Sequence, residues 1–187
     1  LAQEHPVDAD IVIAVPESGT SAALGYSRAS GIPYDRGFVK NHYVGRTFIK
    51  PTSDLRESAA RMKLNPMPEV VGGQRMVDVD DSIVRGTTSL GRIRALREAG
   101  AREVHFRISC PPTMWPCFYG IDFPTRHELI AAGKSIEEIA TFIDADTVGY
   151  LSLEGLLAAV HGTPTTFCHA CFSGDYPPPL PPDVDPR

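Results

Sequence analysis

Two apolar runs that each end in a tight polar turn and pass into a helical stretch constrain the fold more than any other feature. Ile11–Val15 (IVIAV) is a continuous, largely β-branched run stopped by Pro16, the pattern of a strand buried on both faces of a parallel sheet. The turn Pro16-Glu17-Ser18-Gly19 opens into the Ala- and Gly-rich SAALGYSRASG, which reads as a helix. Arg75–Asp81 is a second strand by pattern, and Thr88–Ala99 carries Leu90, Ile93 and Leu96 at helical spacing before Gly100 stops it. Val104, Phe106 and Ile108 alternate as in a third strand, and the following PPTMWPCFYG is too rich in proline and aromatics to extend it. Ser135-Ile136-Glu137-Glu138 has the form of a capping box ahead of Ile139 and Ile143, and Leu153, Leu156, Leu157 and Val160 predict one more helix. Strands alternating with helices predict an α/β fold, a mainly parallel sheet flanked by helices, with ligands beyond the carboxyl ends of the strands. Both polar turns fall there.

At 187 residues the chain fits one domain with a substantial core. The net charge of -5 argues against a chain-wide nucleic-acid surface. No apolar run approaches the roughly 20 residues of a membrane span. Leu1 is not an initiator and no basic-then-apolar signal follows it, so further upstream sequence and a cytoplasmic location are expected. The four cysteines, Cys110, Cys117, Cys168 and Cys171, are too few for a disulfide framework in a chain this long. Residues 177–187 form a Pro-rich tail.

The stretch Val77–Ser89, VDVDDSIVRGTTS, carries the chemistry. Hydroxyls, a glycine and a helix N-terminus in Ser82–Thr88 can present side-chain and backbone donors to one phosphate. The adjacent carboxylates Asp80 and Asp81 would repel a bare phosphate, so they suit a ligand that also offers sugar hydroxyls or a Mg2+ ion. An Asp-Asp-Ser by itself is more often an ordinary turn and helix cap; the strand, acids, hydroxyl loop and helix in immediate succession favour the phosphorylated sugar. Neither a G-x-x-x-x-G-K-[ST] nor a G-x-G-x-x-G after a strand is present, which sets nucleotide-hydrolase and dinucleotide readings aside.

That stretch resembles the phosphoribosyl pyrophosphate motif of type I phosphoribosyltransferases, and its form DDSIVRGTTS is similar to that of the amidophosphoribosyltransferase family. VPESG, GYSRASGIPY, KNHYVGRTFIKP, KLNP, REAGAREVH, PCFYGIDFPTRHELIA, YLSLEGL and FCHACFSGDYP extend the resemblance from about Asp10 to Tyr176. It implies a type I phosphoribosyltransferase domain over residues 1–176, with a flexible active-site loop at 40–66 and a hood and cysteine-bearing region at 110–176. It further implies that Asp80 and Asp81 face the ribose and Mg2+, and that Ser82, Ile83, Val84, Arg85, Gly86, Thr87 and Thr88 hold the 5′-phosphate. Glu17, Ser18 and Gly19 would form the pyrophosphate turn, with Ser18 near the metal. Between Lys40 and Lys63, six basic residues stand against Asp54 and Glu57. A solvated face would account for them; the resemblance makes the segment a loop closing over substrate, with Arg46 and Lys63 as the cations for pyrophosphate.

The implied reaction joins phosphoribosyl pyrophosphate and ammonia into 5-phosphoribosylamine, the entry to purine synthesis, with purine nucleotides as feedback ligands and a homo-oligomeric state. Family enzymes draw the ammonia from a glutaminase domain, to which nothing in these residues corresponds. Cys168-x-x-Cys171 alone suits zinc, a redox pair or buried thiols. In some family members such a pair, with a cysteine placed like Cys117, holds a [4Fe-4S] cluster; the fourth ligand is missing here unless Cys110 replaces it. Asp78 departs from the family, which usually has an apolar residue at that strand position, and a buried carboxylate there would be costly unless paired. A base-salvage phosphoribosyltransferase, a phosphoribosyl pyrophosphate-sensing purine operon repressor-like protein and an inactive fragment are the alternatives.

Overall fold

A computed structural model describes residues 1–40, 64–122 and 125–177. The chain runs β1 (Ile11–Ala14), α1 (Thr20–Ser30), β2 (Phe38–Lys40), β3 (Leu64–Pro66), α2 (Pro68–Val71), β4 (Arg75–Asp80), α3 (Thr87–Glu98), β5 (Glu103–Ile108), a 3-10 turn at Arg126–Glu128, α4 (Ile130–Gly133), α5 (Ile136–Ile143), β6 (Thr147–Tyr150), α6 (Leu153–Ala159) and α7 (Ala170–Ser173). Strands β1, β4, β5 and β6 form one sheet in that order, every pair parallel. The expected α/β architecture is present, and β6 adds a strand that the apolar pattern alone does not reveal.

Side-chain alternation divides the core between the two sheet faces. Val12, Ala14, Val77 and Val79 pack with Ala23 and Tyr26 of α1 on one side. Ile11, Ile13, Met76, Val104, Phe106 and Ile108 pack with Ile93 and Leu96 of α3 on the other. The buried face of α3 is Ser89, Arg92, Ile93 and Leu96. Leu90, expected on the apolar stripe, is only partly buried, and an arginine occupies the stripe instead.

Tyr34 makes a parallel bridge to Val12 on the outer side of β1. The chain leaving β1 therefore travels outward by way of α1, whereas the chain leaving β4 travels the opposite way by way of α3 on the other face. Neighbouring strands whose connections diverge in this manner leave a crevice at their carboxyl ends, where ligands of open α/β sheets bind. Both polar turns, Pro16–Gly19 and Asp80–Gly86, open into it.

Residues 40 and 64–66, expected within the flexible loop, are strand: β2 and β3 pair antiparallel, Phe38 opposite Pro66 and Lys40 opposite Leu64. The loop's remaining residues, Arg46 and Lys63 among them, lie outside the described residues, as does the tail beyond residue 177. Helix α5 starts on the capping box expected at Ser135: the Glu138 N–H donates to Ser135 Oγ at 3.2 Å, and the Ser135 N–H donates to Glu138 Oε2 at 2.8 Å. Among the described residues no helix is long and apolar enough to cross a membrane.

Candidate functional site

The two turns meet through one side-chain contact. Ser18 Oγ donates to Asp80 Oδ1 at 2.9 Å, across 62 residues of sequence. The backbone supports that approach, because Val15 N–H donates to Val79 O at 2.9 Å. A Cβ at Gly19 would lie 2.0 Å from Val79 O, so only glycine lets the first turn sit against the end of β4.

The loop after β4 encloses a cavity of about 210 Å3, lined from Asp80 through residues 82–89 to Arg92. This is below the roughly 300 Å3 of an ordinary small-molecule pocket, so it suits an anionic group at one end of a larger ligand. Thr87 and Thr88 are exposed and Ser82 is half-buried. Gly86 caps α3 in the left-handed region, φ 79°, and no side chain caps the helix. The first-turn N–H groups can therefore meet a ligand, and the helix dipole favours an anion there. A Cβ at Gly86 would meet Ile130 Cδ1 at 2.8 Å and Phe142 Cε1 at 3.0 Å, so this position requires glycine for both space and conformation.

Within the loop the expected residues divide by chemistry. Ile83 is only 2% exposed and its side chain belongs to the core; it can offer a ligand only backbone. Val84 O already accepts from Ile130 N–H at 2.9 Å, which ties the loop to α4. Arg85, which also lines the cavity, pairs with Glu128, its Nε 3.0 Å from Oε1. Arg85 holds the Glu128 carboxyl below its ordinary range, with help from Thr125. The hydroxyls and N–H groups are further candidate anion donors.

The carboxylates are placed unequally. Asp81 is exposed beside the cavity; partial burial of its carboxyl, then the neighbouring Asp80, raise its pKa. Asp80 is 5% exposed. Its Oδ1 accepts from Ser18 Oγ and from the Asp81 N–H at 2.9 Å each, and its Oδ2 accepts from Arg92 Nη2 at 2.7 Å. Arg92 is the residue that sequence reasoning missed. Its signal was available: it lies three residues after Ser89 and four before Leu96, on the face of α3 turned to the sheet.

Asp78 is fully buried on the same face as Asp80, two residues back along β4. The nearest cation is Arg92, whose Nε lies 3.7 Å from Asp78 Oδ2, and neither Asp78 oxygen has a hydrogen-bond partner. Burial raises the Asp78 pKa to about 7, against the lowering pull of Arg92. Arg92 compensates it weakly because its closer bond goes to Asp80. The guanidinium also lies over the Phe106 ring, 5.2 Å from the centroid, and Phe106 is the register partner of Asp78 on β5.

Lys40 at the end of β2 approaches Glu17 of the first turn, Nζ to Oε1 3.4 Å. Oxygen donors from Asp81, Asp80 and Ser18 thus converge from two elements. Such a set fits Mg2+, which keeps waters and takes one or two carboxylates together with substrate phosphates. The cysteines behave differently. Burial pushes the Cys110 thiol up to about 12 and the Cys171 thiol up to about 11, so both are protonated at neutral pH. Among the described residues no three His, Cys, Asp or Glu side chains form a set that could hold a metal ion. Cys117 and Cys168 nonetheless lie near enough to Cys171 to add to the rise of its thiol, and Cys171 does the same for Cys110. Cys171 O accepts from Met114 N–H at 3.0 Å and Trp115 N–H at 3.1 Å, fastening α7 to the loop after β5.

No protein-family model matches the chain. Among curated proteins it is 58% identical over 177 residues to the amidophosphoribosyltransferase of Synechocystis sp., covering 95% of this chain and 36% of that protein. It is 52% identical over 184 residues to that of Methanothermobacter thermautotrophicus, covering 98% and 39%. Among solved structures it resembles the glutamine phosphoribosylpyrophosphate amidotransferase of B. subtilis, complexed with ADP and GMP, with TM-score 0.87 and 53% identity over 99% of this chain and 42% of that one. The chain spans well under half the length of these relatives.

Proposed function

The chain belongs with the amidophosphoribosyltransferases, over a part of their length that has the type I phosphoribosyltransferase fold, and from that premise we propose that it converts phosphoribosyl pyrophosphate and ammonia to 5-phosphoribosylamine and pyrophosphate. The observation that carries the reading is the Ser18–Asp80 contact of 2.9 Å. It sets a turn suited to pyrophosphate against an acid pair and an anion cradle, at the crevice between β1 and β4.

In this reading the hydroxyls of Ser82, Thr87 and Thr88 and the first-turn N–H groups of α3 hold the 5′-phosphate. Asp81, exposed beside the cradle, accepts from the ribose hydroxyls, while Glu17, Ser18 and Gly19 receive the pyrophosphate. Ser18, Asp80 and Asp81 are the residues that would hold Mg2+. Bound there, the ion would offset negative charge on the departing pyrophosphate. Ammonia attacks ribose C1, the C1–O bond breaks, pyrophosphate leaves with the bonding pair, and the new ammonium group loses a proton to solvent. Positive charge develops on the sugar, where the nearby carboxylates favour it. No protein nucleophile is needed. Arg46 and Lys63, outside the described residues, are proposed to reach the pyrophosphate. In the longer relatives' context a glutaminase domain would supply the ammonia, purine nucleotides would act as feedback ligands, and the protein would assemble as a homo-oligomer.

The test is pyrophosphate release from phosphoribosyl pyrophosphate. Release should require ammonium and Mg2+ and ignore glutamine, and Asp81→Asn should lower it about 100-fold without moving the thermal midpoint. A nucleotide product formed from a purine or pyrimidine base would overturn the acceptor, and glutamine-driven turnover by this chain would overturn the division of labour.

A further inference from the structure

Arg92 has no assigned part in the site, yet it is the residue on which the buried side of the site converges. It is 9% exposed, and it comes from the second turn of α3. Placing a guanidinium there is costly unless it is well paired. Two acids are within reach, and the pairing is unequal: Nη2 donates to Asp80 at 2.7 Å, whereas Asp78 stands 3.7 Å from Nε and takes no hydrogen bond. The Phe106 ring beside the guanidinium leaves it little freedom to turn.

Asp80 is therefore held from three directions. Its own strand holds it through the Asp81 N–H, the first turn through Ser18 Oγ, and α3 through Arg92. The first two bonds converge on Oδ1, and among the described residues only Arg92 donates to Oδ2. Without Arg92 the carboxylate could rotate about its Cβ–Cγ bond, and the Ser18 hydroxyl would lose the acceptor that ties the first turn to the second.

We infer that Arg92 is a positioning residue for the phosphoribosyl pyrophosphate site: by fixing the Asp80 carboxylate it holds Ser18 against the acid pair, so the affinity for Mg2+-bound substrate depends on a side chain reaching in from beneath the loop. The inference rests on the substrate and metal proposed above. The plainer account makes Arg92 only a counter-ion for core acids, and it predicts effects on stability alone.

The experiment begins from Asp78→Val, which removes the acid that loss of Arg92 would strand. Thermal midpoint, affinity for inorganic phosphate and affinity for phosphoribosyl pyrophosphate with Mg2+ are measured by scanning and titration calorimetry on the wild type, Asp78→Val, Asp78→Val with Arg92→Leu, and Asp78→Val with Arg92→Lys. Asp78→Val should leave both affinities close to those of the wild type, because the short Arg92–Asp80 bond of 2.7 Å does not involve Asp78, which takes no hydrogen bond from Arg92. Adding Arg92→Leu should weaken Mg2+-dependent substrate binding about 10- to 100-fold, the usual cost of losing an outer partner of a metal-binding group, and by clearly more than it weakens inorganic phosphate binding in the cavity that Arg92 also lines. Arg92→Lys should recover part of the loss. Substrate binding by the Arg92→Leu variant as tight as that of Asp78→Val alone would overturn the inference. If that variant does not fold, Arg92→Lys decides in its place: equal affinity overturns, and a severalfold loss at unchanged midpoint supports. A wild type that does not bind the substrate with Mg2+ removes the proposed function and this inference with it, whereas a binding wild type matched by every variant removes only the role of Arg92.

Discussion

Replacing Asp78 with asparagine should stabilise the protein at alkaline pH and do progressively less as the pH falls. Asp78 is fully buried, and its oxygens have no hydrogen-bond partner. Its pKa rises from 3.8 to about 7 because burial outweighs the attraction of Arg92. A folded-state pKa raised above the unfolded value means that the folded protein keeps its proton while the unfolded chain has lost it. The contribution to stability is then fully present below about pH 4 and is lost as the pH rises toward 7. A shift of about 3 units is worth about 4 kcal/mol in all, of which about 3 kcal/mol falls between pH 5 and pH 8. Asparagine has nearly the same shape and no charge, and it leaves the Arg92–Asp80 bond in place. The assay is urea or thermal unfolding of wild type and Asp78→Asn side by side, in buffer free of divalent cations. The difference between the two curves matters, because His105, whose pKa burial lowers, stabilises with the opposite sign as the pH rises through its own range. The advantage of Asp78→Asn at pH 8 should shrink by about 3 kcal/mol at pH 5, or by about 6–12 °C in midpoint for a chain of this size. An advantage that is constant over this range, or that grows on acidification, would refute the reasoning.

Two further outcomes test the loop and the scaffold separately. Gly86→Ala should lower stability by about 2 kcal/mol, from the left-handed backbone and the contacts with Ile130 and Phe142, and should weaken inorganic phosphate binding by about tenfold or more by isothermal titration. Ser135→Ala removes the reciprocal cap of α5; it should cost about 1 kcal/mol in chemical denaturation and leave phosphate affinity untouched.

Much of the site was legible because it is local. The acids, hydroxyls and glycine of the second turn follow one another along the chain, and the strand before and helix after them are marked by short-range periodicity. The apolar run at Ile11 and the capping box at Ser135 could be read for the same reason. β6 was not legible, because its exposed Thr147 and half-buried Val148 carry little of the alternation that betrays a strand. The antiparallel pairing of β2 with β3 joins segments separated by more than twenty residues, and no short-range pattern reports such a partner. The pairing of Arg85 with Glu128 joins residues 43 positions apart, again beyond the reach of short-range pattern.

The sequence by itself determined the succession β1, polar turn, α1 and the succession β4, polar turn, α3, β5, together with the chemical inventory of the crevice, since propensity, periodicity and turn chemistry act between near neighbours. Alternation along β4 even places Asp78 and Asp80 on one face. What lies across from that face depended on how α3 packs, and only the tertiary structure decided that Arg92 would bond Asp80, leave Asp78 poorly compensated, and bring Ser18 to the acid pair. Those outcomes rest on distances between elements far apart in the chain, where burial removes water and makes the difference between 2.7 and 3.7 Å the difference between a fixed carboxylate and an orphaned one.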